Sequence, residues 1–328
     1  MKLPKCLYLE TTNRCNLRCK GCIHYRGSWE PERDMSLKNV IMIADQFPGL
    51  ERAVLHGIGE PLLNRELPGI IRHLKNRKVT VLFNSNGVLL NEKKQTELID
   101  SCLDELRISL DAASSNTYKA IRSSDKFDLI ISNLSTFNKR LISQQLSRPK
   151  VSLWFLGSKE NIDELPDLIQ LAASIGVPEV HLQRLVYFLD ENGYGLARPE
   201  KTLTGSDERV LELIQKSKDL AQQLGIVFSA SGLSDPINSL QQESINLSPW
   251  KKCYRPSEVI YITSNGNVLP CCISPFSTAD YEFLILGNVF ETSVAEIWFG
   301  PKYRAFRKQH CTNSPPKCCR GCGVLWSL

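Results

Sequence analysis

The chain has 328 residues, a net charge of +5 at pH 7, a hydrophobic content of 42% and a mean hydropathy of −0.19. This length fits one large or two moderate domains, and the small net charge without a basic run argues against nucleic acid as a partner. No apolar run approaches the ~20 residues that span a membrane, and no secretory signal opens the chain. We therefore expect a cytoplasmic protein without a membrane partner.

Strand-like apolar runs alternate with helical stretches through about residue 190. The strands are predicted at 5–11, 52–61, 79–87, 105–112, 150–157 and 179–187, and the helices at 36–48, 66–77, 91–102, 127–143 and 163–176. Ser36 is the expected N-cap of the first helix. This alternation predicts an α/β fold with a parallel sheet and helical crossovers. Six such units would close part of an eight-unit barrel, whose active site lies at the carboxyl ends of the strands.

The chain changes character after residue 190. A turn-rich segment at 190–208 is followed by an amphipathic helix predicted at 207–225. Near the C-terminus, Asn265-Gly266 between alternating apolar runs predicts a β-hairpin, with Cys271 just past its second strand. We therefore expect three regions: a partial barrel at 1–195, a helical connection at 196–245 and a small cysteine-rich domain at 246–328.

Three cysteines follow the first predicted strand with the spacing Cys15-x3-Cys19-x2-Cys22. This odd-numbered group cannot pair internally, and twelve cysteines without a secretory signal indicate a reducing compartment and metal thiolates. A closed structural zinc site needs four ligands. A four-iron cluster held by three cysteines instead leaves one iron free to bind a small molecule. A structural metal knuckle remains the alternative.

The loop and its flanks, "ETTNRCNLRCKGC", resemble the C-x3-C-x2-C signature of radical S-adenosylmethionine (SAM) enzymes. These enzymes use a partial (β/α)6 barrel, which agrees with the predicted elements. The resemblance implies that the amino and carboxylate groups of SAM chelate the open iron. It also implies that SAM is cleaved by one electron to a 5′-deoxyadenosyl radical, which abstracts a hydrogen atom from a substrate.

The ends of the second and third strands carry further matches to the family. "HGIGEP" at 56–61 resembles its glycine-glycine-glutamate-proline turn, in which Gly57 and Gly59 would let the backbone approach the cofactor. Glu60 would pair with the ammonium of the methionine moiety. "FNSNG" at 83–87 resembles the third-strand turn, so Ser85 and Asn86 would lie beside the cofactor. A plain strand-to-helix turn is the alternative for the "HGIGEP" segment.

The fourth strand ends with Ser109 and Asp111, which are two residues apart and share one face. In related enzymes a serine here, and an arginine in the following Y-x2-I-R, contact the carboxylate of the cofactor. Tyr118 and Arg122 match that spacing, although Arg122 could also be a surface helix residue. Gln183 on the sixth strand is a further candidate for the adenosine portion, and a solvated strand end would look the same.

The C-terminal region resembles the SPASM and twitch extensions of the same superfamily, which hold auxiliary iron–sulfur clusters. The matching features are Cys253, Gly266-x4-Cys271, "LGNV" at 286–289, "SVAEIW" at 293–298 and Cys319-x2-Cys322. The resemblance implies one auxiliary [4Fe–4S] cluster with the following ligands: Cys253, Cys271, Cys319 and Cys322. One cluster is expected because a full SPASM domain has more cysteines beyond this pair. Zinc fits the same ligand count.

Two cysteine doublets complicate this assignment, since only one member of Cys271/Cys272 and one of Cys318/Cys319 is expected to ligate. A spare Cys272 thiol facing the mouth of the barrel would be a hydrogen-atom donor to a substrate radical. The alternatives are that Cys272 is a buried structural cysteine or a substitute cluster ligand.

The resemblance leaves the reaction open among oxidation, epimerisation and crosslinking. Many peptide-modifying relatives carry a leader-binding module before the barrel, which would not fit ahead of Cys15. We therefore expect a small or carbohydrate-like substrate ahead of a peptide, with flavodoxin or ferredoxin as electron donor. A non-enzymatic iron–sulfur carrier is the alternative of another class. Such a carrier would not need Glu60, Ser109 and Arg122 at strand ends.

Overall fold

The structure is a computed structural model that describes most of the chain. The described residues are 2–25, 27, 29–185, 201–203, 207–231, 236, 249–277, 280–320 and 322. The domain boundaries expected near residues 195 and 245 lie outside these residues, as do most of the turn-rich segment and the end of the predicted sixth strand. Within the described part, no helix has the length and apolarity of a membrane span.

The described strands form one continuous sheet. They are β1 (Cys6–Leu9), β2 (Arg52–Val54), β3 (Thr80–Ser85), β4 (Glu105–Ser109), β5 (Lys150–Gly157), β6 (Glu179–Arg184), β7 (Val227–Ala230), β8 (Val259–Ile262), β9 (Asn267–Leu269) and β10 (Gly287–Asn288). Their order is β10-β9-β8-β1-β2-β3-β4-β5-β6-β7, and all neighbours from β8 to β7 pair in parallel. The expected α/β fold, a partial barrel followed by a cysteine-rich region with a hairpin, is confirmed.

The helices cover the outer face of the sheet. The described α-helices are α1 (Leu37–Ala44), α2 (Leu67–Asn76), α3 (Glu92–Asp100), α4 (Ser115–Arg122), α5 (Phe127–Ser143), α6 (Leu165–Ser174), α7 (Glu208–Leu224), α8 (Arg255–Glu258), α9 (Val294–Trp298), α10 (Pro301–His310) and α11 (Lys317–Arg320). Ser36 caps α1 as expected, because its side chain accepts a hydrogen bond from the Asn39 amide at 3.2 Å. The helix predicted at 207–225 is confirmed as α7.

Several elements escaped the sequence analysis, among them α4, β7 and the ten-residue helix α10. Helix α4 buries only Tyr118 and is capped by Ser114. Strand β7 is four residues long and buries only Ala230. It extends the parallel sheet past β6, within the region that we expected to be a helical connection.

The predicted hairpin is confirmed and adds to the other edge of the barrel. β8 pairs in parallel with β1, where Tyr261 lies opposite Tyr8, and β9 returns antiparallel to β8. Gly266 in the turn has φ +86°, a conformation that side chains disfavour, and an added Cβ would lie 2.5 Å from the Phe290 ring. The cysteine-rich region is thus joined to the barrel through hydrogen-bonded strands.

Strand β1 shows how the sheet separates core from lumen. Leu7 and Leu9 are fully buried in the core that the helices cover. Cys6, Tyr8 and Glu10 alternate with them and therefore face the inside of the barrel. The loop that follows Glu10 carries the first three cysteines to the carboxyl edge of the sheet.

Candidate functional site

The Cys15 loop, residues 11–25, leaves β1 at the carboxyl edge of the sheet. Its three cysteines are partly buried and free of disulfides. The Cys22 amide donates to the Cys19 carbonyl at 3.0 Å, which folds this part of the loop back on itself. Burial raises the pKa of Cys15 to about 12 and also raises the pKa of Cys22. Thiolates at Cys15 and Cys22 therefore require a nearby cation to compensate their charge.

Two side chains from other elements approach the thiols. The Asn86 amide lies 4.0 Å from the Cys15 sulfur, and the Arg122 guanidinium lies 3.8 Å from the Cys19 sulfur. Arg122 also forms a 2.5 Å ion pair with Asp111. Burial lowers the pKa of Arg122, but Asp111 and Cys19 outweigh that effect and the pKa is raised. Arg122 therefore remains a cation beside the cluster loop.

The glycines of "HGIGEP" contact the first strand and the Cys15 loop. A Cβ on Gly57 would lie 2.3 Å from the Glu10 carboxylate, and one on Gly59 would lie 2.1 Å from the Thr12 carbonyl. The structure therefore gives these glycines a role in packing the turn against the chain that leads to Cys15. Their predicted approach to the cofactor is compatible with this packing and stays a prediction.

Glu60 is buried and accepts several hydrogen bonds. Its carboxylate receives the Leu62 amide at 3.1 Å, the Ser85 hydroxyl at 2.9 Å and the Asn86 amide at 2.7 Å. Burial raises the pKa of Glu60, and these hydrogen bonds oppose the rise. Glu60 therefore brings the second and third strand ends together, and three of its roughly four acceptor positions are filled by the protein.

The remaining predicted cofactor contacts lie along the same edge. A cavity of about 470 Å³ is lined by Lys20 of the Cys15 loop, Asp111 and Leu156, among others. Ser109 is partly exposed at the end of β4, and Gln183 lies beside Leu156 on β6. The structure thus brings the predicted SAM contacts to one edge of the sheet. Which of them touch the cofactor stays a prediction.

The C-terminal thiols form a second group. One cavity is lined by Cys253, Cys271, Cys318, Cys319 and Cys322. Burial raises the pKa of Cys253 and raises that of Cys271 well above its usual value. In the described residues, no three His, Cys, Asp or Glu side chains are grouped for a single metal ion, either here or in the Cys15 loop.

The two doublets behave differently. Cys271 lines the thiol cavity and Cys272 does not, whereas both Cys318 and Cys319 line it with their sulfurs 3.8 Å apart. In the structure, Cys271 is therefore the member of its doublet that lines the thiol cavity, whereas Cys318 and Cys319 are both placed to bind a cluster there.

The expectation that Cys272 faces the mouth of the barrel is wrong. β9 runs antiparallel to β8, so the chain after Leu269 returns to the amino-terminal end of the parallel strands. Burial is the main cause of the raised pKa values of Cys6 and Tyr8, and the Cys272 thiol contributes to both, so Cys272 lies close to these two residues. The thiol therefore lies at the lumen floor, at the opposite end from the Cys15 loop. Its role as a hydrogen-atom donor stays a prediction.

Two acidic residues that the sequence analysis missed join these regions. Glu10 accepts from the Ile58 amide at 2.7 Å and from the Ser264 amide at 3.1 Å. Burial raises the pKa of Glu10 to about 7, and these amides partly oppose the rise. Both contacts join segments that are far apart in the sequence. Apart from the position of Glu10 in "ETTNRC", no local sequence pattern indicates this bridging role.

Glu30 ties the segment after Cys22 to the hairpin. Its carboxylate accepts from Asn267 at 2.7 Å, Asn265 at 3.0 Å and the Tyr281 hydroxyl at 2.8 Å. Next to it, the Trp29 ring stacks on Tyr281 with centroids 5.8 Å apart. The two cysteine-bearing parts of the chain are therefore held in a fixed relation.

Comparison with family models assigns residues 9–172, which are 164 of the 328 residues, to the radical SAM superfamily. The chain belongs to this superfamily. Residues 253–323 match an iron–sulfur cluster-binding domain, SPASM. The chain is therefore a radical SAM enzyme with a SPASM domain. Its cofactors are SAM, a [4Fe–4S] cluster that binds it, and auxiliary iron–sulfur clusters.

Similar proteins cover most of this radical SAM enzyme. The tungsten-containing aldehyde ferredoxin oxidoreductase cofactor-modifying protein of Pyrococcus furiosus is 25% identical over 92% of this chain and 83% of its own length. The PqqA peptide cyclase of Granulibacter bethesdensis is 22% identical over 97% and 79%. The fold is similar to that of Streptococcus suis SuiB bound to SAM, with a TM-score of 0.72 and 19% identity over 98% of this chain and 71% of SuiB. SuiB is also known bound to its precursor peptide SuiA.

The residues present fit the cofactor that the family requires. Among the described residues, the Nε atom of Arg122 is a buried donor without a hydrogen-bond partner, next to the Cys15 loop. Such a donor is costly unless an acceptor fills the site. Three soft thiols, a buried carboxylate and this guanidinium match a sulfur-bound cluster and the charged methionine end of SAM.

Proposed function

We propose that this enzyme abstracts a hydrogen atom from a peptide substrate held in the barrel lumen, in the cytoplasm. The observation that carries the proposal is the placement of the two thiol groups. Cys15 follows the carboxyl end of β1, and the chain of Cys271 returns to the amino-terminal end of the same strand. A four-residue strand covers about 13 Å, so the space between the two groups suits a substrate side chain.

Cys15, Cys19 and Cys22 would hold the SAM-binding cluster, and Cys253, Cys271, Cys322 and one of Cys318 and Cys319 would hold an auxiliary cluster. When bound, these groups supply one-electron cleavage of SAM to the 5′-deoxyadenosyl radical and a nearby one-electron acceptor. Glu60 and Arg122 would bind the ammonium and carboxylate ends of SAM and so orient it. Ser85, Asn86, Ser109, Asp111 and Gln183 would complete the walls of this site.

The names of similar proteins support a peptide substrate. PqqA peptide cyclase acts on a peptide by its name, and SuiB binds a precursor peptide. The sequence-based preference for a small or carbohydrate-like substrate rested only on the length ahead of Cys15. We therefore place a peptide first, with flavodoxin or ferredoxin as the one-electron donor.

Anaerobic reconstitution with iron, sulfide, a reductant and SAM tests the cofactor assignment. Replacing Cys15, Cys19 and Cys22 together by alanine should lower bound iron from about eight to about four per chain, if both sites hold [4Fe–4S] clusters. It should also abolish 5′-deoxyadenosine formation. The exposed Cys311→Ala is the matched control and should change neither. Formation of 5′-deoxyadenosine by the triple variant would overturn the assignment.

The type of reaction is tested with a peptide substrate in heavy water. A product that lacks two hydrogens indicates oxidation, whereas a product of unchanged composition that gains deuterium indicates epimerisation through an exchangeable donor such as Cys272. A panel of peptides that all remain unmodified, while a small molecule is converted, would refute the peptide proposal.

A further inference from the structure

The inner face of the sheet is more accessible than its outer face along β4, β5 and β6. The outward residues are fully buried: Leu106, Ile108, Leu153, Phe155, Val180 and Leu182. Apart from the buried Ser152, inward residues that alternate with them keep accessible surface, including Arg107, Ser109, Trp154, His181 and Gln183. In a packed eight-stranded barrel, bulky aliphatic side chains fill this space. The lumen beside these three strands is therefore lined mainly by polar and aromatic side chains that keep some accessible surface.

Arg107 is the cation within this part of the lumen. Its Nη2 atom donates to Glu105 at 2.8 Å, and its guanidinium carbon lies 4.3 Å from the centre of the Trp154 ring. In the part of the chain that the structure describes, Glu105 is its single hydrogen-bond partner. A guanidinium has five N–H donors, so most of them have no protein acceptor. In the described structure, each Arg107 nitrogen either has a hydrogen-bond partner or keeps some accessible surface. The donors without a partner are therefore accessible from the lumen.

Glu105 is the ion-pair partner of Arg107, and the two imidazole rings near Arg107 carry no charge. Burial, with a smaller effect of the Arg107 charge, lowers the pKa of His56 to about 3 and that of His181 to about 4, so both rings are uncharged at neutral pH. Burial also lowers the pKa of Arg107 itself, and Glu105 opposes this only in part. A substrate carboxylate at this place would therefore share the guanidinium with Glu105. Glu179 is the other carboxylate that affects it from the lumen floor.

Trp154 supplies a flat wall at the same place. Its ring lies on β5 between β4 and β6, and the His181 ring on β6 lies 4.1 Å from its centre. His181 is fixed in turn by the Ser229 hydroxyl, 2.8 Å from its Nδ1 atom. The ring positions are thus held by packing and hydrogen bonds, and Arg107 presents its free donors beside a rigid surface.

We propose that Arg107 binds a carboxylate group of the substrate in the barrel lumen, against the wall formed by Trp154. A carboxylate can accept two parallel N–H bonds from one guanidinium, which gives both affinity and orientation. The group is an acidic side chain or a chain-terminal carboxylate. This inference rests on the proposed function only in taking the lumen as the substrate site.

Binding is measured without turnover on the reconstituted holoenzyme with SAM and without reductant. The five tryptophans are labelled with 5-fluorotryptophan, and Trp154→Phe assigns the resonance of Trp154. The probes are N-acetylglutamic acid amide for a side-chain carboxylate and N-acetylalanine for a terminal one. N-acetylglutamine amide is the neutral control. We expect one of the acids to shift the Trp154 resonance with saturation, and the neutral amide to bind at least about tenfold more weakly.

Three variants decide the role of Arg107. Arg107→Gln should abolish the saturable shift. Glu105→Gln should tighten acid binding several-fold, because it removes the competing carboxylate. Arg77→Gln, at an arginine paired with Asp45 outside the lumen, should change nothing.

The proposal is overturned if the neutral amide binds as well as the acids, if Arg107→Gln still binds them, or if Glu105→Gln weakens binding. The last outcome would mean that Arg107 and Glu105 form a purely structural pair, and it decides the matter even if Arg107→Gln does not fold. Failure of the proposed radical function would appear separately, as missing 5′-deoxyadenosine.

Discussion

Replacing Glu60 by glutamine tests whether this buried carboxylate is both a structural acceptor and the ligand of the SAM ammonium. In the wild type it accepts hydrogen bonds from Leu62, Ser85 and Asn86. A glutamine side chain must place its NH2 group at one of the two oxygen positions. At the oxygen position that accepts from Asn86, the NH2 group would face the Asn86 amide, donor against donor. At the oxygen position that accepts from both Leu62 and Ser85, the NH2 group would face the Leu62 amide, while the Ser85 hydroxyl can rotate and accept a hydrogen bond from it.

The second arrangement costs less, because it gives up the longest of the three bonds. It loses the Leu62 bond and the charge assistance of the Asn86 bond. Hydrogen bonds to charged groups contribute about 1.5–3 kcal/mol, so we expect the free energy of unfolding to fall by roughly that amount. A charge-assisted bond to the ammonium is lost as well, so SAM affinity should fall about 10- to 150-fold.

Two measurements on the same preparations separate the effects: thermal unfolding, and equilibrium titration with SAM. Asp104→Asn is the matched control, because Asp104 is a buried carboxylate that accepts the Val81 amide at 2.8 Å at the other end of the barrel. It should lower stability and leave SAM affinity unchanged. If Glu60→Gln loses stability but binds SAM as the wild type does, Glu60 is structural and the ligand assignment fails.

Three further predictions concern the groups around this site. Because the pKa of Glu10 is raised from 4.5 to about 7, the folded chain holds a proton that the unfolded chain releases. As pH rises from 4.5 to about 7, the free energy of unfolding of the wild type should therefore fall by about 3 kcal/mol relative to that of Glu10→Gln. Melting temperatures of the two proteins that change in parallel with pH would contradict this. Arg122→Gln leaves Asp111 buried without its cation, so we expect a loss of about 3–5 kcal/mol in stability and weaker SAM binding, whereas Asp111→Asn at the same pair should retain more SAM affinity. Glu30→Ala removes acceptors for Asn265, Asn267 and Tyr281, so amide hydrogen exchange in the hairpin should speed up at least tenfold, and unchanged protection would show that Glu30 does not hold it.

Much of the site was readable from the sequence because its signals are local. The spacing of Cys15, Cys19 and Cys22, the glycines of "HGIGEP" and the Asn265-Gly266 turn each depend on a few neighbouring residues. The alternation of strands and helices predicted the parallel barrel for the same reason, since each unit has its own apolar periodicity. Among the elements that were missed, α4 and β7 bury one residue each, and α10 buries the polar Arg307 and His310 beside Tyr303, so apolar residues alone do not mark them clearly.

Tertiary structure decided what depends on contacts between distant segments. Glu10 and Ser264 are 254 positions apart, and the pairing of β8 with β1 joins the two ends of the chain. That pairing turns Cys272 toward the lumen floor, although a reading of the hairpin alone placed it at the mouth. The accessible surface of the lumen around Arg107 was equally hidden, because a strand pattern shows which residues share a face but not whether that face is filled. Local propensity specifies the strands and turns of this protein, whereas burial of apolar surface between segments far apart in sequence specifies which of them meet.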